Sequence, residues 1–319
     1  MALDDFGVPA AEPPRRGSLA RLMETPLSGL RDRIAAIAAD PAARDIAARL
    51  DGIEAELRRL SGMPARVVPL GDRVLALTHA GRKIFLDPAD VGITPHIALT
   101  GEWERDTETV VRRLLRPGQT AIEVGANMGY HTLAMADAVG PGGRIHAFEA
   151  NPDIARLLDA TVQVNGLLDR VTLHAKAALA QRGEVEFAIH PDHCGSAHLA
   201  VPEDRPCYSR RARVPAVMLD EEPGTGAPVD LIRMDAEGSE PLVLRGAAWL
   251  LARSPDVVLV MEWAPLLISG YADVAGFADW LGGQGFGASR ILPDASLQPM
   301  DRAGLLEAGH IEVVFQRAA

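Results

Sequence analysis

The chain is predicted to adopt an α/β fold, a mainly parallel sheet with helices on both faces. Two observations predict it. From Thr120 onward, short apolar runs alternate with helical stretches, and the first of those runs passes through a glycine turn directly into a helix. Strand-helix alternation of this kind packs as parallel strands covered on both sides.

The chain has 319 residues, 48% of them apolar, enough for a substantial core. Residues 1 to about 24 read as a flexible tail. Thr25 and Pro26 then open a helix with the stripe Leu27, Leu30, Ile34 and Ile37, and Asp40-Pro41 opens another. In the second, Ile46, Leu50, Ile53, Leu57 and Leu60 follow a heptad rhythm, which fits either a short coiled coil joining two copies of the chain or a helix packed on its own core. The helical segment therefore covers 1–62, and the remaining domain covers 63–319. Within the latter, 62–69 reads as a linker, 73–77 and 82–86 as a hairpin around Ala80-Gly81, and 104–115 as a helix.

The alternating part offers strands at 120–124, 145–149, 171–175, 184–189, 230–234, 257–262, 286–291 and 311–316. Helices fall near 130–138, 152–165, 240–251 and 273–283. No apolar helix is evident between the last two strands, which suits an antiparallel pair at a sheet edge.

The net charge of −11 argues against a nucleic-acid partner. No signal-peptide pattern and no apolar run of membrane-spanning length is present, so a soluble cytoplasmic protein without a membrane partner is the expectation. Cys194 and Cys207 lack CxxC spacing and read either as a disulfide pair or as two reduced thiols.

The chemistry concentrates at strand ends. Thr120-Ala121-Ile122-Glu123-Val124 runs into Gly125-Ala126-Asn127-Met128-Gly129, a cofactor turn at the carboxyl end of a first strand. Gly125 permits the tight turn and Gly129 lets the helix start pack closely. A dinucleotide fingerprint would place glycines where Asn127 and Tyr130 stand. Glu149, twenty residues past Gly129 and ending the second strand, is placed to accept from ribose hydroxyls. Glu123 is placed to hold a positively charged amino-acid moiety. Two carboxylates and no basic residue in the loop suit S-adenosylmethionine, which carries an ammonium and a sulfonium, better than a pyrophosphate.

A second acidic cluster follows another strand, in Asp235-Ala236-Glu237-Gly238-Ser239-Glu240. Asp235 is the candidate for orienting or deprotonating a substrate hydroxyl, whereas Glu240 and Ser239 read as helix capping. Glu262 ends the strand 257–262, and with Asp235 it could ligate Mg²⁺. His131 lies beside the glycine loop, and His193 and His198 lie in a polar loop; each is a candidate general base or a merely solvated imidazole.

Taken together, Gly101-Glu102-Trp103-Glu104, the loop from Glu123 to Gly129, Phe148-Glu149-Ala150-Asn151-Pro152, Asn165, the Asp235–Glu240 cluster and Leu244-Arg245-Gly246-Ala247 resemble the FkbM family of S-adenosylmethionine-dependent methyltransferases. The resemblance covers about 85–265 and is expected to run on to residue 319. It implies a class I methyltransferase fold, Rossmann-like with seven strands, and methyl transfer to a hydroxyl of a small molecule such as a secondary metabolite, sugar or glycan. It also implies that Glu149 binds ribose, that Gly125, Asn127 and Gly129 wrap the methionine end, that Asp235 lies at the transfer site, and that Glu104 helps close the pocket. Glu123 stands where the family usually has Asp, and Arg233 where it usually has Lys. Two other readings stay open: a nicotinamide-dependent oxidoreductase, and a non-catalytic scaffold that binds S-adenosylmethionine.

Overall fold

A computed structural model describes residues 67–317, apart from 203, 223 and 225–227. These residues belong to one compact unit, 66–319. The two N-terminal helices and their heptad lie outside the described residues.

The unit opens with a three-stranded antiparallel meander, β1 (Val67–Pro69), β2 (Val74–Leu77) and β3 (Lys83–Leu86). The expected hairpin is therefore present, but part of the expected linker is a strand, because 67–69 pairs with β2. Helices α1 (Ile93–Thr100) and α2 (Arg105–Leu114) follow. Gly101, at φ 76°, ends α1.

The central sheet begins with β4 (Thr120–Val124), α3 (Tyr130–Val139), β5 (Arg144–Phe148), α4 (Pro152–Val164) and β6 (Val171–His174). Helix α4 has a complete start signal: the Asn151 side chain accepts the Asp153 N–H, and Pro152 occupies the first turn. The chain then leaves the sheet to build a second one from β7 (Ala177–Ala178), β8 (Gly183–His190), β9 (His193–Leu199) and β10 (Arg210–Val217). Here the structure departs from the sequence reading. Strand 184–189 does not join the central sheet but pairs antiparallel with β9 and β10.

The chain returns through β11 (Leu231–Met234), α5 (Glu240–Arg245), α6 (Ala248–Arg253), β12 (Val258–Trp263), α7 (Pro265–Ile268), α8 (Val274–Gly283), β13 (Phe286–Ile291), β14 (Leu297–Met300), α9 (Arg302–Glu307) and β15 (Ile311–Arg317). The single helix expected over 240–251 is two. At Gly246 the backbone passes so close to its neighbour that a Cβ would lie 2.0 Å from the Leu179 carbonyl oxygen.

The central sheet runs β14-β13-β15-β12-β11-β4-β5-β6. The five strands from β12 to β6 are parallel, and β15, β13 and β14 are antiparallel. Among the described residues it thus carries eight strands where the resemblance implies seven, and the extra one, β14, pairs with β13 at the sheet edge. The last two expected strands do pair antiparallel, but β14 and α9 lie between them in sequence.

Side chains alternate across this sheet with the strand period of two. Ala121, Leu231, Val260 and Val314 pack on one face with Val111, Leu133 and Leu158, while Ile122, Ile232, Leu259 and Phe315 pack on the other with Leu244, Leu250 and Phe277. The first face turns polar at the carboxyl ends. There, Glu123 is in register with Arg233, and Glu262 with Glu312. Strand order reverses between β4 and β11, and the crevice beyond their carboxyl ends is where open α/β sheets bind ligands.

Candidate active site

A cavity of about 550 Å³ opens at that crevice, lined by the glycine loop, β9, and the ends of β5, β11 and β12. The glycine loop is anchored to the next strand. The N–H groups of Gly125 and Ala126 both donate to the Phe148 carbonyl at 3.0 Å. Gly125 has φ +76°, and a Cβ there would lie 1.8 Å from the Asp235 carbonyl oxygen. Both constraints require glycine. Gly129, at φ +97°, packs against Leu158 rather than lining the cavity.

Asn127, itself at φ 49°, donates its N–H to Glu149 Oε2 at 2.8 Å, and Asn151 N–H donates to Glu149 Oε1 at 2.7 Å. Each carboxylate oxygen thus spends one acceptor site on backbone and keeps capacity facing the cavity. Burial raises the Glu149 carboxyl to about 7, against the opposing pull of those backbone N–H groups. Cys194 packs beside Asn127, its thiol 3.6 Å from Oδ1, and burial pushes that thiol up. Cys194 and Cys207 are both free thiols.

The other side of the cavity is organised by Arg233. This guanidinium is buried, with Nη2 at 3.2 Å from Glu104 Oε2 and from Asp235 Oδ2, and Nη1 at 3.6 Å from Glu123 Oε1. The burial that disfavours its charge is outweighed by the Asp235, Glu104 and Glu123 carboxylates, which hold it firmly ionised. Glu104, in left-handed backbone at the start of α2, also meets His131 Nε2 at 3.0 Å. Burial works to raise the Glu104 carboxyl, but the His131 and Arg233 contacts dominate and lower it. Burial and the Arg233 charge in turn lower His131, against the raising pull of Glu104, and its ring lines the cavity.

Glu123 is placed differently from its sequence reading. It is wholly buried beneath the cavity rather than lining it, bonded to the Thr132 hydroxyl and facing Arg233. Its neighbour is an internal cation, so it is not positioned to hold a ligand's amino group. Burial raises it to about 7, while Arg233 and Thr132 oppose the rise.

Asp235, Glu237 and Glu262 all line the cavity, with one carboxylate oxygen from each lying within 4.8 Å of the others. Burial and the Glu262 charge push Asp235 well above the usual carboxylate range. Burial, Glu262 and Asp235 push Glu237 to about 10. Glu240 Oε1 accepts the Ala236 N–H at 2.8 Å, in line with its expected role at the helix start. Ser239 makes no cap; its hydroxyl bonds back to the Ala236 carbonyl.

The two loop histidines separate. His193 lines the cavity at its exposed rim. His198 does not line it: its Nε2 meets Asp204 Oδ1 at 2.7 Å and its Nδ1 meets the Ser196 carbonyl at 2.9 Å. The structure therefore does not bring His198 to the cavity as the sequence reading expected. Both stand on β9, in the second sheet, and not in a loop. Arg233, Tyr208 and His310 are site residues that the sequence did not single out for such a role. For Arg233 the available signal was a charged residue inside an apolar strand.

Residues 123–280 match the Methyltransferase FkbM domain family. Among curated proteins, the Protein-L-isoaspartate O-methyltransferase of Aeropyrum pernix is 30% identical over 167 residues, 50% of this chain and 56% of that protein. The Catechol O-methyltransferase of Bos taurus is 39% identical over 66 residues, 20% of this chain and 24% of that protein. The chain thus spans from about a quarter to just over half the length of these relatives. A solved O-methyltransferase from Bacillus cereus in complex with SAH is similar at 16% identity and a TM-score of 0.40, covering 67% of this chain and 80% of that one. No helix among the described residues is long and apolar enough to cross a membrane.

Proposed function

Residues 123–280 are an FkbM methyltransferase domain, and from that premise we propose that the protein methylates a hydroxyl oxygen of a small molecule with S-adenosylmethionine. The observation that carries the reading is the hydrogen bond from Asn127 N–H to Glu149 at 2.8 Å, on the same cavity as Asp235. It ties the glycine turn to a strand-end carboxylate, which supports reading the two as one cofactor cradle with Asp235 as a proton acceptor on the same cavity.

The cofactor supplies an electrophilic methyl group on a sulfonium. Glu149 accepts from the ribose hydroxyls with the lone pairs that Asn127 and Asn151 leave open. The backbone of Gly125 to Asn127 follows the methionine end. Glu123 contributes by holding Arg233, which in turn holds Asp235 and Glu104. The acceptor oxygen attacks in line: the new O–C bond forms as the S–C bond breaks, and the hydroxyl proton passes to Asp235 or His193. Alignment of this kind supplies up to roughly 7–11 kcal/mol of barrier lowering. The acceptor is a small hydroxylated molecule, and neither nucleic acid nor a membrane is required. A dimer through residues 1–62 remains part of the proposal.

Tritium transfer from methyl-labelled S-adenosylmethionine to a panel of sugars, polyketides and phenols tests it, with the product analysed for an alkali-stable methyl ether. Binding of NAD in place of S-adenosylhomocysteine would support the oxidoreductase instead. Tight S-adenosylhomocysteine binding with no transfer to any acceptor would support a scaffold.

A further inference from the structure

We propose that Asp235, Glu237 and Glu262 form a divalent-cation site on the cavity wall, and that the acceptor is bound through an oxygen on that cation. The role given to the acceptor rests on the methyl-transfer reading; the cation site itself does not.

Three elements of geometry carry the proposal. The three carboxylates come from the end of β11, the turn after it and the end of the adjacent β12, and each brings an oxygen to within 4.8 Å of the other two. Glu237 reaches the cluster from a left-handed backbone at φ 52°, a conformation that non-glycine residues seldom adopt. Independently, Glu262 is only 7% exposed, and its Oε2 is buried with no hydrogen-bond partner among the described residues. A buried carboxylate oxygen left unpaired is costly, and a metal ion is one of the few things that offset it.

The surrounding charges leave room for such an ion. Arg233 meets Asp235 at Oδ2, and His310 meets Glu262 at Oε1. Glu240 adds a buried carboxylate behind the cluster, and its Oε2 also lacks a partner among the described residues. The donor set is all oxygen, which selects a hard cation such as Mg²⁺, Mn²⁺ or Ca²⁺ over Zn²⁺. With three protein oxygens in an octahedral shell, about three positions are left for water and acceptor oxygens. All three carboxylates line the cavity, so those positions face the substrate space. The acceptor class this fits is one whose reacting hydroxyl lies beside a second oxygen, so that both reach the ion. A cation-bound hydroxyl gives up its proton more readily. Asp235 then acts as a ligand, and the proton leaves to His193 or to water.

Mn²⁺ is the probe. The full chain, stripped with chelator, is titrated with Mn²⁺ while the signal of the free ion is followed by electron paramagnetic resonance. S-adenosylhomocysteine binding is measured separately by calorimetry. The expected result is about one Mn²⁺ bound per chain, displaced by Mg²⁺, with at least roughly tenfold weaker binding in Glu262→Gln and in Glu237→Gln. Glu237 is partly exposed, so its variant keeps the test valid if Glu262→Gln fails to fold. Absence of Mn²⁺ binding, or binding unchanged in a folded variant, overturns the cation site. If S-adenosylhomocysteine still binds in that case, the methyltransferase reading stands; if it fails to bind to the wild-type chain, that reading falls whatever Mn²⁺ does.

Discussion

Arg233 Nη2 stands 3.2 Å from Asp235 Oδ2, two residues further along the same chain end. The same guanidinium reaches Glu104 on one side and Glu123 on the other. One buried cation thereby fixes the proposed transfer-site acid, the residue that starts α2, and the last acid of the first strand. A guanidinium can do this because its donors fan out in a plane, whereas an ammonium is a point charge.

Arg233→Met should be strongly destabilised. It would leave three acids facing one another, with Glu123 fully buried among them, and removing one partner of a buried ion pair costs roughly 3–5 kcal/mol. Urea denaturation of the apoprotein reads this directly. Arg233→Lys should recover part of the stability but not all, because the fork geometry is lost. A midpoint equal to wild type in the Met variant would mean that the cluster carries no net stabilisation.

Cofactor affinity should depend on pH through Glu149. Burial places its carboxyl at about 7, so below that pH a growing fraction is protonated and can no longer accept from two hydroxyls. S-adenosylhomocysteine binding should therefore weaken as pH falls from 8 to 6. Glu149→Gln should bind about 10–100-fold more weakly, the value of a hydrogen bond to a charged group, and should lose that pH dependence. Calorimetry at several pH values checks both, and a pH slope retained in the Gln variant assigns the titration to another group.

Gly125→Ala should disable the cofactor cradle. The added methyl meets the Asp235 carbonyl at 1.8 Å, and the residue must still hold φ +76°. The conformational part alone costs about 1–2 kcal/mol, and displacing β11 adds to it. Loss of S-adenosylhomocysteine binding together with a lowered melting temperature is the expected pair of results.

The glycine loop, Glu149 and Asp235 were legible because each ends an apolar strand or sits a fixed step from one. That logic is local. It could not place Glu123, since whether a strand-end acid faces a cavity or an internal cation depends on what stands opposite, here Arg233, 110 residues later. It could not separate β8 from the central sheet either, since 184–189 carries an alternation that fits both sheets and only pairing with β9 and β10 decides. His193 and His198 share one strand and the same chemistry, but Asp204 engages only the second.

That difference predicts opposite behaviour for the two histidines. His198→Ala removes contacts to Asp204 and to the Ser196 carbonyl, so the melting temperature should fall while turnover per folded molecule stays within about twofold. His193→Ala removes an exposed side chain, so stability should hold while turnover falls. Melting curves and kcat measured on the same preparations separate the two. A turnover loss confined to the His198 variant would return that residue to the site.

Asp235 is the position where position and chemistry can be told apart. Asp235→Asn keeps the size and a hydrogen-bond acceptor toward Arg233 but cannot take a proton or bind a cation strongly. If Asp235 accepts the hydroxyl proton or ligates an ion that acidifies it, kcat should fall by about 10²–10⁴. In the proposed cradle S-adenosylhomocysteine is held by Glu149 and the glycine loop, so its affinity should change far less. The same variant also relieves like-charge crowding with Glu262 and Glu237, so the apoprotein should be at least as stable as wild type. Lost turnover with retained affinity and stability isolates the chemical role, whereas a parallel loss of all three would make Asp235 a structural partner of Arg233. Unchanged kcat would remove it from the reaction.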